Sequence, residues 1–242
     1  MSNSERVLRI RLVEQLCKSL RIYMMKKEEA KKALFHDGIY YTVRITRRTY
    51  HDLVERLRTL ADMQFQDPTD VAEYAITEAW AIIDSFYRLR KLLEDMPDLK
   101  QNSPQIQLFY RRTKCLKSLR DSIQHLDEHI DKYVPHKIPA LGRLSWIYPI
   151  NNNQYKACMV APGDIQPDWK LMPSYMGKKM RCPVDFLTLT ANDSVCLTHM
   201  IDALEQLIPW LNKKLNNNFD RKHQLIIMCF GITTKYDILN NY

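Results

Sequence analysis

Between Leu119 and Asp131 the chain reads LRDSIQHLDEHID, which places a guanidinium, an imidazole and several carboxylates within one short run. On a helix that turns about 100° per residue, Arg120, Asp121, Gln124, His125 and Glu128 share one side, and Leu116, Leu119, Ile123, Leu126 and Ile130 the other. Asp121 and His125 are four residues apart, so the carboxylate can orient the imidazole. Arg120 lies one step round and is long enough to converge on the same anion. This trio predicts the handling of a phosphate.

Two other readings use the same residues. His125 to His129, HLDEH, matches the H-x-x-E-H pattern of inverted zinc proteases. There two histidines four apart would share a zinc ion, Glu128 would act as base and Glu205 would be the candidate third ligand. Alternatively, the polar residues are the solvated face that any long amphipathic helix requires.

The elements that must position these residues can be read from periodicity and breakers. Asp67 as cap and Pro68 at the first helical position open a helix, in which Val71, Ala75, Ala79, Ile82, Phe86, Leu89, Leu93 and Met96 alternate steps of four and three. Pro97 stops it. Ser103 and Pro104 open a second long helix that carries the quoted stretch to about Val134, before Pro135. The short polar loop between them predicts an antiparallel pair. Upstream, a helix over about Ser4 to Leu34 has apolar residues at Val7, Ile10, Val13, Leu16, Leu20 and Met24. HDG (His36 to Gly38) is expected to end it, IYYTVRI leans towards strand, and a further helix follows at about Tyr50 to Phe65. Downstream, LSWIY, ACMVA and VDFLTLT predict a small antiparallel β insertion at about 138–191. A helix from about Asp193 to Leu215, with a kink at Pro209, returns to the bundle. The expected organisation is a basic N-terminal helical segment over 1–66, a helical bundle with its insertion over 67–215, and a C-terminal extension over 216–242.

Composition narrows the chemistry. Five glycines without G-x-x-x-x-G-K or G-x-G-x-x-G leave no phosphate-cradling loop of the usual kinds, so ATP hydrolysis and nicotinamide chemistry drop out. Six cysteines with no C-x-x-C argue against a zinc ribbon or a disulfide scaffold and read as small buried hydrophobes. The opening residues alternate charge with apolar side chains, which predicts neither a signal peptide nor a membrane span, and a cytoplasmic protein. Of the net charge of +8, residues 1–60 hold 14 Lys or Arg against 7 Asp or Glu, a surplus of 14 − 7 = +7. That basic segment suits an anionic partner, with RNA the natural candidate.

Arg120, the polar Asp121 and His125, late in the second of two long antiparallel helices, resemble the R-x4-6-H motif of the HEPN superfamily (higher eukaryotes and prokaryotes nucleotide-binding domain). The resemblance covers roughly Asp67 to Val134, with Asp193 to Leu215 as a further bundle helix. It implies a mainly α HEPN-like homodimer whose motif helices meet, so that two copies of Arg120 and His125 surround one cleft. It also implies a metal-independent endoribonuclease without cofactor, of the kind found among bacterial toxins and antiviral effectors, with an antitoxin or regulatory protein as a possible partner. In that role His125 moves the proton of the 2′-hydroxyl or leaving oxygen, Arg120 stabilises charge on phosphorus, and Asp121 sets geometry. The chain departs from the family where Asn often stands, at anionic Asp121. It departs again two positions after the histidine, where a toxin subgroup has a modifiable Tyr and this chain has Asp127. Other family members lack catalysis and serve as nucleotide- or protein-binding modules.

Overall fold

The computed structural model describes residues 3–62, 68–135, 137, 139–151, 154–163, 185–191 and 193–215, with side chains from residue 26 onward except those of His129, Lys132, Asn151, Asp185 and Phe186. The expected cap Asp67, the middle of the β insertion with Trp169, and the extension 216–242 lie outside these residues, as do the side chains of the Val7 to Met24 seam.

The first element corrects the sequence reading. α1 runs without interruption from Asn3 to Asp62, through both HDG and the strand-leaning IYYTVRI. Packing overrides the local preference: Ile39, Tyr40, Val43, Thr46, Leu53, Val54, Leu57 and Ala61 recur at helical steps, and all are buried. Gly38 is a packing residue there. A Cβ built on it would sit 3.2 Å from a methyl of Leu92 on the facing helix, so the glycine lets the two helices close. Leu92 is only half-buried and can give way. Gly38→Ala is therefore expected to raise stability by roughly 0.5 kcal/mol, the gain in helix propensity less the cost of moving Leu92. Urea denaturation measures it, and a lowered midpoint would mean that Leu92 is held fast.

α2, Thr69–Asp95, turns back along α1. Lys32 pairs with Asp98 and Gly38 meets Leu92, while Arg56 Nε donates to Glu78 Oε1 at 2.7 Å, the order of an antiparallel hairpin. Pro68 stands just before the first helical residue rather than inside it. The buried stripe is Ala75, Ile76, Ala79, Ile82, Ile83, Phe86, Leu89 and Leu93, close to the expected set.

The long helix expected after Ser103 is three helices: α3 Pro104–Arg112, α4 Leu116–Gln124 and α5 Leu126–Tyr133. α3 ends because its last carbonyls find other donors. Thr113 donates through its hydroxyl to Phe109 O at 2.8 Å, and Arg90 Nη1 donates to Tyr110 O at 2.9 Å. The second break is at His125, with φ −117° and ψ 42°. Tyr133, almost fully buried, donates its hydroxyl to the Ser122 carbonyl at 3.4 Å. In a straight helix eleven residues rise about 16 Å, beyond a tyrosine's reach, so this contact requires α5 to bend back. Only α4 packs along α2; α3 lies chiefly on α6 and touches α2 at a few side chains. Phe86 stacks on Phe109 at 5.8 Å, Arg90 bonds Thr113, and Asp84 bonds Arg120.

The β insertion is a four-stranded antiparallel sheet in the order β2-β1-β3-β4, from β1 Arg143–Asn151, β2 Gln154–Val160, β3 Asp185–Thr190 and β4 Ser194–Cys196. Gly142 enters β1 at φ 74°, and a Cβ there would meet Thr190 O at 2.6 Å, so a side chain has neither the conformation nor the room. β4 claims Ser194 to Cys196, expected as helix, and α6 begins at Leu197 and runs through Pro209 to Leu215. α6 packs against α3 and β3. Its Leu197, Met200, Leu204, Leu207 and Leu211 join residues of α1, α2, α3, α4 and the sheet in one buried cluster. No helix among the described residues is long and apolar enough to cross a membrane.

Candidate anion-handling site

Arg120 reaches back from α4 to α2. Its Nε donates to Asp84 Oδ1 at 2.8 Å, and its guanidinium lies 4.8 Å from the centre of the Tyr87 ring. Asp84 and Tyr87 are three apart on α2, so one helical turn supplies both supports. The side chain is 31% exposed, and its two Nη groups have no partner among the described residues. An arginine fixed through Nε with its fork open can still bind an anion through two donors.

Arg120 is therefore no freely solvated position. Arg120→Glu removes the ring contact and sets two carboxylates side by side. It is expected to cost about 1 kcal/mol in urea denaturation, with Arg120→Met, which keeps the packing on Tyr87, costing less. Both variants lose the pairing with Asp84, so equal effects would show that neither the packing on Tyr87 nor the repulsion between the two carboxylates contributes.

Asp121 and His125 stand in a different relation from the one expected. The His125 backbone N–H donates to Asp121 O at 3.0 Å, which closes α4. The side chain of His125 turns instead to Glu128, with Nδ1 3.4 Å from Oε1, while its imidazole is 55% exposed. The Asp121 carboxylate, half-buried, has no partner among the described residues. Glu128 thus stands where a histidine-orienting carboxylate belongs. With Nδ1 turned to a carboxylate, Nε2 is the ring nitrogen left to exchange a proton.

Two of the residues of the metal reading stand as follows. His125 terminates α4, so HLDEH does not lie along one unbroken helix, and Glu205 pairs with Arg47 at 3.0 Å. Among the described residues no three His, Cys, Asp or Glu side chains are grouped to hold a metal ion; the side chain of His129 is outside them. Trp80 packs against the core and donates to Leu141 O at 3.0 Å.

Sequence reasoning named Arg120, Asp121 and His125 as candidates and did not place Asp84 and Tyr87 beside Arg120, because pairing across helices leaves no mark in a single chain. Glu128 was visible at its i,i+3 spacing and was given another task. Among the described side chains, part of the basic N-terminal segment is neutralised by pairing. Lys32, Arg47, Arg48, Arg56 and Arg58 are each paired with a carboxylate.

A comparison with protein-family models finds no match, and searches of curated proteins and of solved structures find none either.

Proposed function

We propose that the chain is a HEPN-like, metal-independent endoribonuclease that works as a homodimer, with Arg120 and His125 of both copies around one RNA-binding cleft. The observation that carries this reading is the open fork of Arg120, held from behind by Asp84 and Tyr87, one turn before an exposed imidazole backed by Glu128. An anchored donor pair spends little of its freedom on binding a phosphate, and it is worth more at the transition state, where charge on the equatorial oxygens grows.

In this mechanism the 2′-oxygen attacks phosphorus and the bond to the 5′-oxygen breaks. His125 takes the 2′-hydroxyl proton, and the departing 5′-oxygen takes a proton from water, which leaves a 2′,3′-cyclic phosphate and a free 5′-hydroxyl. Arg120 neutralises the pentacoordinate phosphorus. Glu128, rather than Asp121, orients the imidazole, and Asp121 keeps the family's polar position. A toxin or antiviral role belongs to this reading by resemblance alone.

The second reading, a non-catalytic HEPN-like module that binds a nucleotide or a protein, is favoured by one observation. The unpaired carboxylate of Asp121 next to Arg120 repels the phosphate that catalysis must admit. End-labelled structured RNA, incubated with the purified protein with and without EDTA, separates the two. Cleavage that survives EDTA and leaves cyclic phosphate supports the ribonuclease. Intact RNA over a well-folded dimer supports the binding module.

A further inference from the structure

We infer that the corner where α3 meets α4 is the surface that holds the phosphate backbone of single-stranded RNA, and that it feeds the strand to Arg120. The inference rests on RNA being the substrate of the Arg120–His125 site, and it deepens that reading by moving the RNA-binding surface away from the basic N-terminal segment.

The sequence supplies the first observation. From Leu99 to Arg120 the chain holds six cations, Lys100, Arg111, Arg112, Lys114, Lys117 and Arg120, and no Asp or Glu. The fold supplies the second. Arg111 and Arg112 occupy the last turn of α3, Lys114 the connecting turn and Lys117 the first turn of α4, and all four are exposed. None of them is ion-paired among the described residues, in contrast to the five paired cations of α1. Lys117 lies three residues before Arg120, so the two are neighbours on the surface of α4. The run of positive charge therefore ends at the open guanidinium fork.

Neighbouring cations left unpaired repel one another, and the repulsion is relieved when a polyanion neutralises them and releases its counterions. An acidic protein would relieve it too, but a protein interface also needs an apolar centre. Among the described residues, no exposed large hydrophobic lies between Tyr74 and Ile130 in the sequence. A cationic strip without an apolar centre fits a phosphate backbone. Arg111 and Arg112 also complement the dipole at the end of α3, so their role in folding and in binding overlap. Lys114 and Lys117 carry no such double role, and the test is placed on them.

The experiment measures binding of a short, labelled, single-stranded 2′-O-methyl RNA, which has no 2′-hydroxyl to attack, to the full-length protein between about 50 and 200 mM salt. Lys114→Ala with Lys117→Ala is expected to weaken binding at least ~10-fold and to flatten the slope of log K against log salt by about 1.4, the share of two phosphate contacts on a single strand. Lys26→Ala with Lys27→Ala, on the exposed part of α1, is expected to leave both unchanged. An unchanged slope in the Lys114/Lys117 variant, an equal loss in the Lys26/Lys27 variant, or no binding by the wild type overturns the inference. So does polyglutamate competing as well as unlabelled RNA, which would make an acidic protein the partner. The ribonuclease reading fails separately. Wild type that binds through Lys114 and Lys117 without cleaving RNA upholds the surface and sinks the reaction, whereas cleavage with binding indifferent to these lysines does the reverse.

Discussion

His125→Ala is expected to reduce RNA cleavage by at least ~100-fold, the usual contribution of a positioned acid–base group, while the unfolding midpoint stays within experimental scatter. Both halves of the expectation come from the same geometry. The imidazole is more than half exposed, and Glu128 is its one charged partner among the described residues, so its removal is expected to uncover little. The backbone of residue 125 does the structural work, closing α4 through its N–H and opening α5 through its carbonyl, and alanine keeps both bonds. Cleavage at an undiminished rate in this variant would remove His125 from the reaction. Glu128→Gln should lower the rate less, and mainly through kcat, since an orienting carboxylate acts on the imidazole rather than on RNA.

The largest effect on stability is expected from Phe86→Ala. Phe86 is fully buried in the middle of α2, and its ring stacks on Phe109 with 5.8 Å between centroids, so it is the contact that docks α3 on the α1–α2 hairpin. Truncation loses the transfer free energy of the ring and leaves a cavity between rigid helices, together about 3–5 kcal/mol. For a chain of this size that corresponds to a fall of roughly 6–20 °C in the thermal midpoint. Calorimetry on the purified variant measures it. A fall below about 2 °C would mean that α3 can close over the gap, or that it is not docked through this pair.

What was legible in the sequence followed from strong period and strong punctuation. The stripe of α2 from Ala75 to Leu93, the start at Ser103–Pro104 and the sheet before α6 all stand where apolar spacing and breakers put them. The failures share a cause. Whether a helix continues through Gly38 or stops at Thr113 is decided by what packs on it, Leu92 in one case and Arg90 in the other. Each of those partners lies far along the chain. The same holds for the site: the residue types at 120, 121 and 125 were readable, but Asp84 and Tyr87, which fix the guanidinium, come from α2. Spacing within one helix paired His125 with Asp121, and the bend forced by Tyr133 and Ser122 gave it to Glu128 instead.

The uninterrupted α1 also governs how the molecule moves through solvent. Sixty helical residues extend about 90 Å, against a radius of gyration of about 18 Å for a compact chain of this length. α2 pairs with α1 from about Lys32 onward, the side chains from Lys26 to Leu34 are exposed, and a rod of this length meets far more friction than a sphere of equal mass. A single copy should therefore leave a sizing column as early as a compact protein of much greater mass. Elution volume would report a dimer whether or not one forms, and light scattering, which weighs the particle independently of its drag, is the measurement that counts copies.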